Sequence, residues 1–224
     1  MSFAAGQTDA TAYVQLLDDG TGKPNNAVGL ALDSPGGGAI LGARHKTLLW
    51  RIENTPPAPP PPPPPATTEE VVWTATSGVL VSGNNLTKTD VKGWGNAGAI
   101  STRSIVSGDG YVEFTVSETN TARVIGLSNG DTNTDYTDID FGAYPHTDGM
   151  LWVCEGGVVQ GVFGSYATGD VIRVAVTAGV VRYSKNGAVF YTSTGTPTYP
   201  LLVDTALWHT GATIQGVMIH GGLM

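Results

Sequence analysis

The run Thr55-Pro56-Pro57-Ala58-Pro59, continuing through Pro65-Ala66, cannot lie inside a packed core. Proline has no amide hydrogen and a fixed φ, so consecutive prolines adopt an extended polyproline II rod whose backbone stays in water. At ~3.1 Å per residue, the stretch from Pro56 to Pro65 would span roughly 30 Å as a semi-rigid spacer. The 224-residue chain therefore reads as three parts. These are an N-terminal attachment or oligomerisation segment (1–54), a polyproline linker (55–66) and a head (67–224) long enough for its own core.

Thirty-one glycines, many Thr, Val, Ser and Asn, and only 13% charged residues describe an all-β protein rich in turns. In the N-terminal segment, residues 11–17, 28–32 and 47–52 read as strands between Gly- and Asn-rich loops. Some fifty residues of this kind make a poor independent core, so the segment is expected to be ordered by sister copies or a larger scaffold. Leu48, Leu49, Trp50 and Ile52 are its expected buried contacts. In the head, Tyr111 to Val116 alternates so that Val112, Phe114 and Val116 share one face, and Ile172, Val174 and Val176 do the same. Asn186-Gly187, between Val180–Lys185 and Ala188–Thr192, is the pair that type I′ hairpin turns favour. Further strands are expected at 79–81, 99–103, 122–127, 137–143, 150–154, 158–163, 201–203 and 213–219. Ten or more short strands at this spacing predict an antiparallel two-sheet jelly-roll sandwich.

A formal charge of −8 works against nucleic acid and anionic membranes as partners. The single cysteine, Cys154, lies in the apolar run Leu151-Trp152-Val153-Cys154 and reads as a buried small residue. Trp73 and Trp152 read as core. The start Met1-Ser2-Phe3-Ala4-Ala5 has neither a basic nor an apolar leader pattern, and no apolar run is long enough to span a bilayer. A stalked acidic β-domain of this kind fits a virion surface component.

From Gly110 to Ile219 the order of elements resembles the concanavalin A-like jelly rolls, in particular the SPRY-like domains of phage and bacterial surface proteins. The residues that carry the resemblance are Tyr111-Val112-Glu113-Phe114, Ile125-Gly126-Leu127, Asp138-Ile139-Asp140-Phe141-Gly142, Gly169-Asp170-Val171-Ile172-Arg173-Val174, Ser184-Lys185-Asn186-Gly187, Tyr191-Thr192-Ser193 and Tyr199-Pro200-Leu201. They cover about half of the chain. The resemblance implies a module that binds glycans or proteins through loops at one rim.

Glucan-cleaving enzymes share this architecture and resemble Glu-Ile-Asp-Ile-Glu where this chain has Asp138-Ile139-Asp140-Phe141-Gly142. Retaining hydrolysis needs two carboxyls ~5 Å apart. Gly142 supplies none, so no enzyme is expected. Asp131, Asn133 and Asp135 resemble the start of a calcium loop, but Tyr136 and Gly142 stand where an EF-hand needs Gly and Glu. Calcium is the only cofactor this pattern offers, against the alternative of a solvated turn held by its own Asx hydrogen bonds. The four histidines show no zinc spacing. For sugar recognition the useful side chains are aromatics that stack on pyranose faces, with polar neighbours for the hydroxyls. Trp94, Tyr144, His146, Asp148, Trp208 and His209 are the candidates, all in loop-like sequence.

The expectation is a bacteriophage structural protein, a head fibre, decoration protein or short tail fibre. Its non-catalytic tip would bind host-surface glycan, and its N-terminal segment would engage other virion proteins as a homo-oligomer, a trimer in the simplest case. The alternative is a bacterial cell-surface or secreted carbohydrate- or protein-binding module.

Overall fold

The computed structural model describes residues 7, 26–31, 33, 36–38, 40, 43, 46–51 and 62–224. The chain divides into two compact units, Met1–Pro61 and Pro62–Met224. In the first, β1 (Asn26–Ala31) and β2 (Lys46–Arg51) form an antiparallel pair running from Asn26 opposite Arg51 to Ala31 opposite Lys46. Leu48 is exposed in the single chain. The side chains of Leu49 and Trp50, all of Ile52 and the expected strand at 11–17 lie outside the described residues.

The second unit is built from β3 (Ala66–Glu70), β4 (Trp73–Ser77), β5 (Val79–Ser82), β6 (Asn85–Lys88), β7 (Gly98–Ile105), β8 (Gly110–Thr115), β9 (Arg123–Ser128) and β10 (Phe141–Pro145). There follow β11 (Met150–Glu155), β12 (Val158–Ser165), β13 (Val171–Thr177), β14 (Val180–Lys185), β15 (Ala188–Thr192), β16 (Leu201–Leu207) and β17 (Thr213–Gly222). One sheet has the order β12-β11-β10-β9-β16-β7-β4; the other runs β15-β14-β13-β8-β17-β6-β5, with β3 also paired to β17. All pairings are antiparallel. The two sheets form a sandwich, as the strand pattern predicts. Among the described residues no helix is long and apolar enough to cross a membrane.

Alternation explains the core. Val112 and Phe114 of β8, with Ile172, Val174 and Val176 of β13, face Ile125 and Leu127 of β9 and Leu151 and Val153 of β11 in one buried cluster. Asn186 and Gly187 have φ of 51° and 82°, the two positive values that a type I′ turn requires. Ala66, read as the end of the linker, is the first residue of β3, whose ladder runs from Gly222 opposite Ala66 to Met218 opposite Glu70. The strand expected at 137–143 begins only at Phe141. Asp135 caps a 3-10 turn over Tyr136–Asp138 by accepting from the Thr137 amide, and that geometry is incompatible with an extended chain.

The same alternation gives the seven-stranded sheet an outer face. Asp204 stands opposite Gly126, Gly126 opposite Gly142 and Gly142 opposite Cys154. Two residues along each strand, Ala206 stands opposite Val124 and Tyr144 opposite Trp152. Across this floor of small side chains lies the segment 129–140, with Ile139 packed against Val124 and Ala206 in a second buried cluster. A side chain at Gly126 would place its Cβ 1.9 Å from the Phe141 carbonyl oxygen, so only glycine fits there.

Candidate functional site

Trp94 enters this outer face from the loop between β6 and β7, and one buried cation shapes that loop. Lys88 is 1% exposed, and its Nζ donates to the Gly93 carbonyl (2.6 Å), the Asn96 side-chain oxygen (2.6 Å) and the Leu207 carbonyl (2.8 Å). A lysine can be buried when all three of its donors find acceptors. The Gly93 amide donates to the Trp208 carbonyl, and the Trp208 amide to that of Ala122. These bonds place Trp94 and Trp208 with ring centroids 5.3 Å apart.

The rings continue as one strip. Trp94 lies 4.9 Å from Tyr136 and 5.8 Å from Tyr144; Tyr144 lies 5.3 Å from His146 and 6.1 Å from Trp152; His146 lies 4.7 Å from Trp152. All are half-buried, packed below and open above. A groove of about 310 Å³ runs along the strip, lined by Trp94, Tyr144, His146, Trp208, His209 and Lys92, with Ala122 and Thr147 completing it.

Polar groups fix the edges. In the β10–β11 hairpin, Asp148 Oδ1 accepts from the Met150 amide and lies 3.0 Å from His146 Nδ1, while Oδ2 accepts from the Trp152 indole at 3.3 Å. What burial Asp148 has works against the charge, but the Met150 amide and His146 prevail and hold its carboxyl below the ordinary range. His209 Nδ1 accepts from the Ala122 amide at 3.0 Å, which leaves the proton on Nε2. Burial, then the charges of Lys92, Lys88 and His146, lower its pKa and keep the ring neutral. Burial pushes the Tyr144 phenol up to about 12, so it remains a neutral hydrogen-bonding group.

Five of the six residues selected from sequence line this groove, and the sixth, Asp148, bonds two of the side chains beside it. Trp152 is a correction. It was assigned to the core, but Leu151 and Val153 point inward and alternation turns Trp152 out to the aromatic strip. Its pairing opposite Tyr144 was readable by centring a hairpin on Asp148. Tyr136 was missed because nothing in its loop is periodic.

The three residues proposed as a calcium loop separate. Asn133 Oδ1 accepts from the Asp135 amide and Asp135 Oδ1 from the Thr137 amide, as in Asx turns. Asp131 groups instead with Asp138 and Asp204, all three contributing oxygens within 4.8 Å of one another.

No family model matches the chain, and no curated protein matches it. Solved structures with a similar course include the apo Crh5 transglycosylase (TM-score 0.49, 14% identity, 70% of this chain and 84% of that one). Others are the carbohydrate recognition domain of Emp47p (TM-score 0.43, 9% identity, 70% and 87%) and the SPRY domain of human HERC1 (TM-score 0.40, 15% identity, 68% and 91%). These likenesses are too distant to bear on ligand or activity. Strand order and the outer face by themselves define the class: an antiparallel two-sheet β-sandwich with a solvent-facing aromatic groove on one sheet.

Proposed function

We propose that residues 67–224 form a non-catalytic glycan-binding module, displayed by the proline run on the surface of a bacteriophage particle. One observation carries the binding role: a strip of five aromatic side chains and His146, firmly packed beneath and open above, bordered by hydrogen-bonding groups. Aromatic faces stack on the C–H face of a pyranose, and neighbouring polar groups take its hydroxyls. The strip extends over several rings, which suits an oligosaccharide rather than one sugar.

The non-catalytic reading is supported by the engagement of Asp148, the carboxylate at the groove's edge, with the Met150 amide, the Trp152 indole and His146. Asp204, beneath the 129–140 segment, is 2% exposed and out of reach of a saccharide. Display on a particle is supported by the stiffness of consecutive prolines, which also sets spacing between tips. Multivalent attachment of weak tips raises avidity by ~10²–10⁴ when spacing matches the target.

The test is a bacterial glycan array probed with the full chain, followed by Trp94→Ala and Trp208→Ala. Each substitution is expected to weaken binding by about tenfold, the value of one stacked ring. Binding that survives both substitutions unchanged, or no binding by the wild type, would refute the assignment.

A further inference from the structure

The carboxylates of Asp131, Asp138 and Asp204 come from two places. Asp204 rises from the middle of β16 on the outer face of its sheet, and the 129–140 segment brings the other two over it. Asp204 is 2% exposed and its Oδ2 has no hydrogen-bond partner. Asp138 Oδ1 is likewise buried without a partner. Its Oδ2 accepts from the Thr132 amide (2.8 Å), the Thr132 hydroxyl (2.9 Å) and the Asn133 amide (3.1 Å), which fixes the direction of the remaining oxygen. Asp131 Oδ1 accepts from the Asn133 amide at 3.1 Å. Among the described residues no Lys, Arg or His forms an ion pair with any of the three.

Two unpartnered buried carboxylate oxygens beside a third acid form a costly arrangement unless a positive charge joins them. Oxygens within 4.8 Å of one another lie no more than about 2.8 Å from a common centre, so a small inward shift brings all three to the 2.3–2.6 Å typical of calcium–oxygen bonds.

We propose that Asp131, Asp138 and Asp204 hold a divalent cation, calcium in preference to magnesium, which clamps the 129–140 segment onto the seven-stranded sheet. Calcium accepts six to eight oxygens in irregular geometry, so carbonyls and water complete the shell; magnesium demands a near-ideal octahedron that this loop-and-strand set does not offer. The Thr132 amide and hydroxyl and the Asn133 amide, which bond Asp131 and Asp138, hold these carboxylates in orientation. The clamp also fixes Tyr136, whose ring packs 4.9 Å from Trp94. The rival occupant is a proton on the buried Asp204 carboxyl.

The experiment uses the full chain stripped with a chelator and needs no sugar. Calcium titration by calorimetry should show one site with a Kd at or below ~1 mM, raise the unfolding temperature, and be at least ~10-fold tighter than magnesium. Terbium bound in its place should luminesce on excitation of the nearby Trp94 and Tyr136. Asp131→Asn alters an exposed side chain and should keep the fold by circular dichroism while weakening calcium at least ~10-fold. Asp204→Asn should gain no stability from calcium. The proposal is overturned if ~10 mM calcium gives neither heat nor a thermal shift. It is also overturned if both variants bind calcium as tightly as the wild type.

Discussion

Among the described residues Arg123 is the largest side chain wholly withdrawn from solvent, and it follows Ala122, which lines the groove. Its guanidinium stays charged because Nη2 donates to the Glu118 carbonyl (3.0 Å), Nη1 to the Thr121 hydroxyl (2.9 Å), and the Glu118 carboxylate lies 3.4 Å away. Burial raises the Glu118 pKa. Arg123, the Ser117 hydroxyl and the amide and hydroxyl of Thr213 more than reverse this, so the folded value lies below the usual carboxylate range. A depressed folded pKa contributes stability above the unfolded value of about 4.3, and that contribution disappears as pH falls through the folded value. Urea unfolding of the wild type and Glu118→Gln should therefore differ at pH 7, with the wild type more stable, and the gap should close on acidification below pH ~4.

At the level of elements, the glycine row on the outer face allows the 129–140 segment to lie close to the sheet. Gly126→Ala forces a methyl into the Phe141 carbonyl, and the cost should reach at least about 1–3 kcal/mol in chemical denaturation, with Trp94 fluorescence shifting as β10, which carries Tyr144, is displaced. Alternating strands such as β8 and β13, and the Asn186-Gly187 hairpin, were legible because apolar period and turn chemistry agree. The short polar strands β3 (Ala-Thr-Thr-Glu-Glu) and β6 (Asn-Leu-Thr-Lys) were not, since β3 is defined by its partner β17 and β6 by its partners β5 and β17 rather than by an apolar pattern of their own. Trp152 was misread because apolar residues on both sides hide alternation. Asp204 left a clue that went unused: a lone acid inside the apolar run Leu201-Leu202-Val203-Asp204-Thr205-Ala206-Leu207. The aromatic site was readable as a set of residue types in loops, but their convergence depends on Lys88 and on cross-strand register.

For the whole molecule, the chain divides into two compact units, and the division falls inside the proline run. Under the proposed display role, deleting residues 1–54 should leave a folded sandwich, with an unchanged thermal transition, that no longer co-purifies with phage particles. Retention of the truncated chain on particles would remove the attachment role from that segment. The ladder between β3 and β17 has a mechanical consequence. Tension entering through Pro65 runs along β3, whose bonds to the C-terminal strand lie across the direction of pull, with Thr68 Oγ1 to His220 Nδ1 (2.7 Å) as an additional rivet. Such a seam is sheared rather than unzipped: its rungs must give way together, so the sandwich is braced where a load on the proline run would arrive.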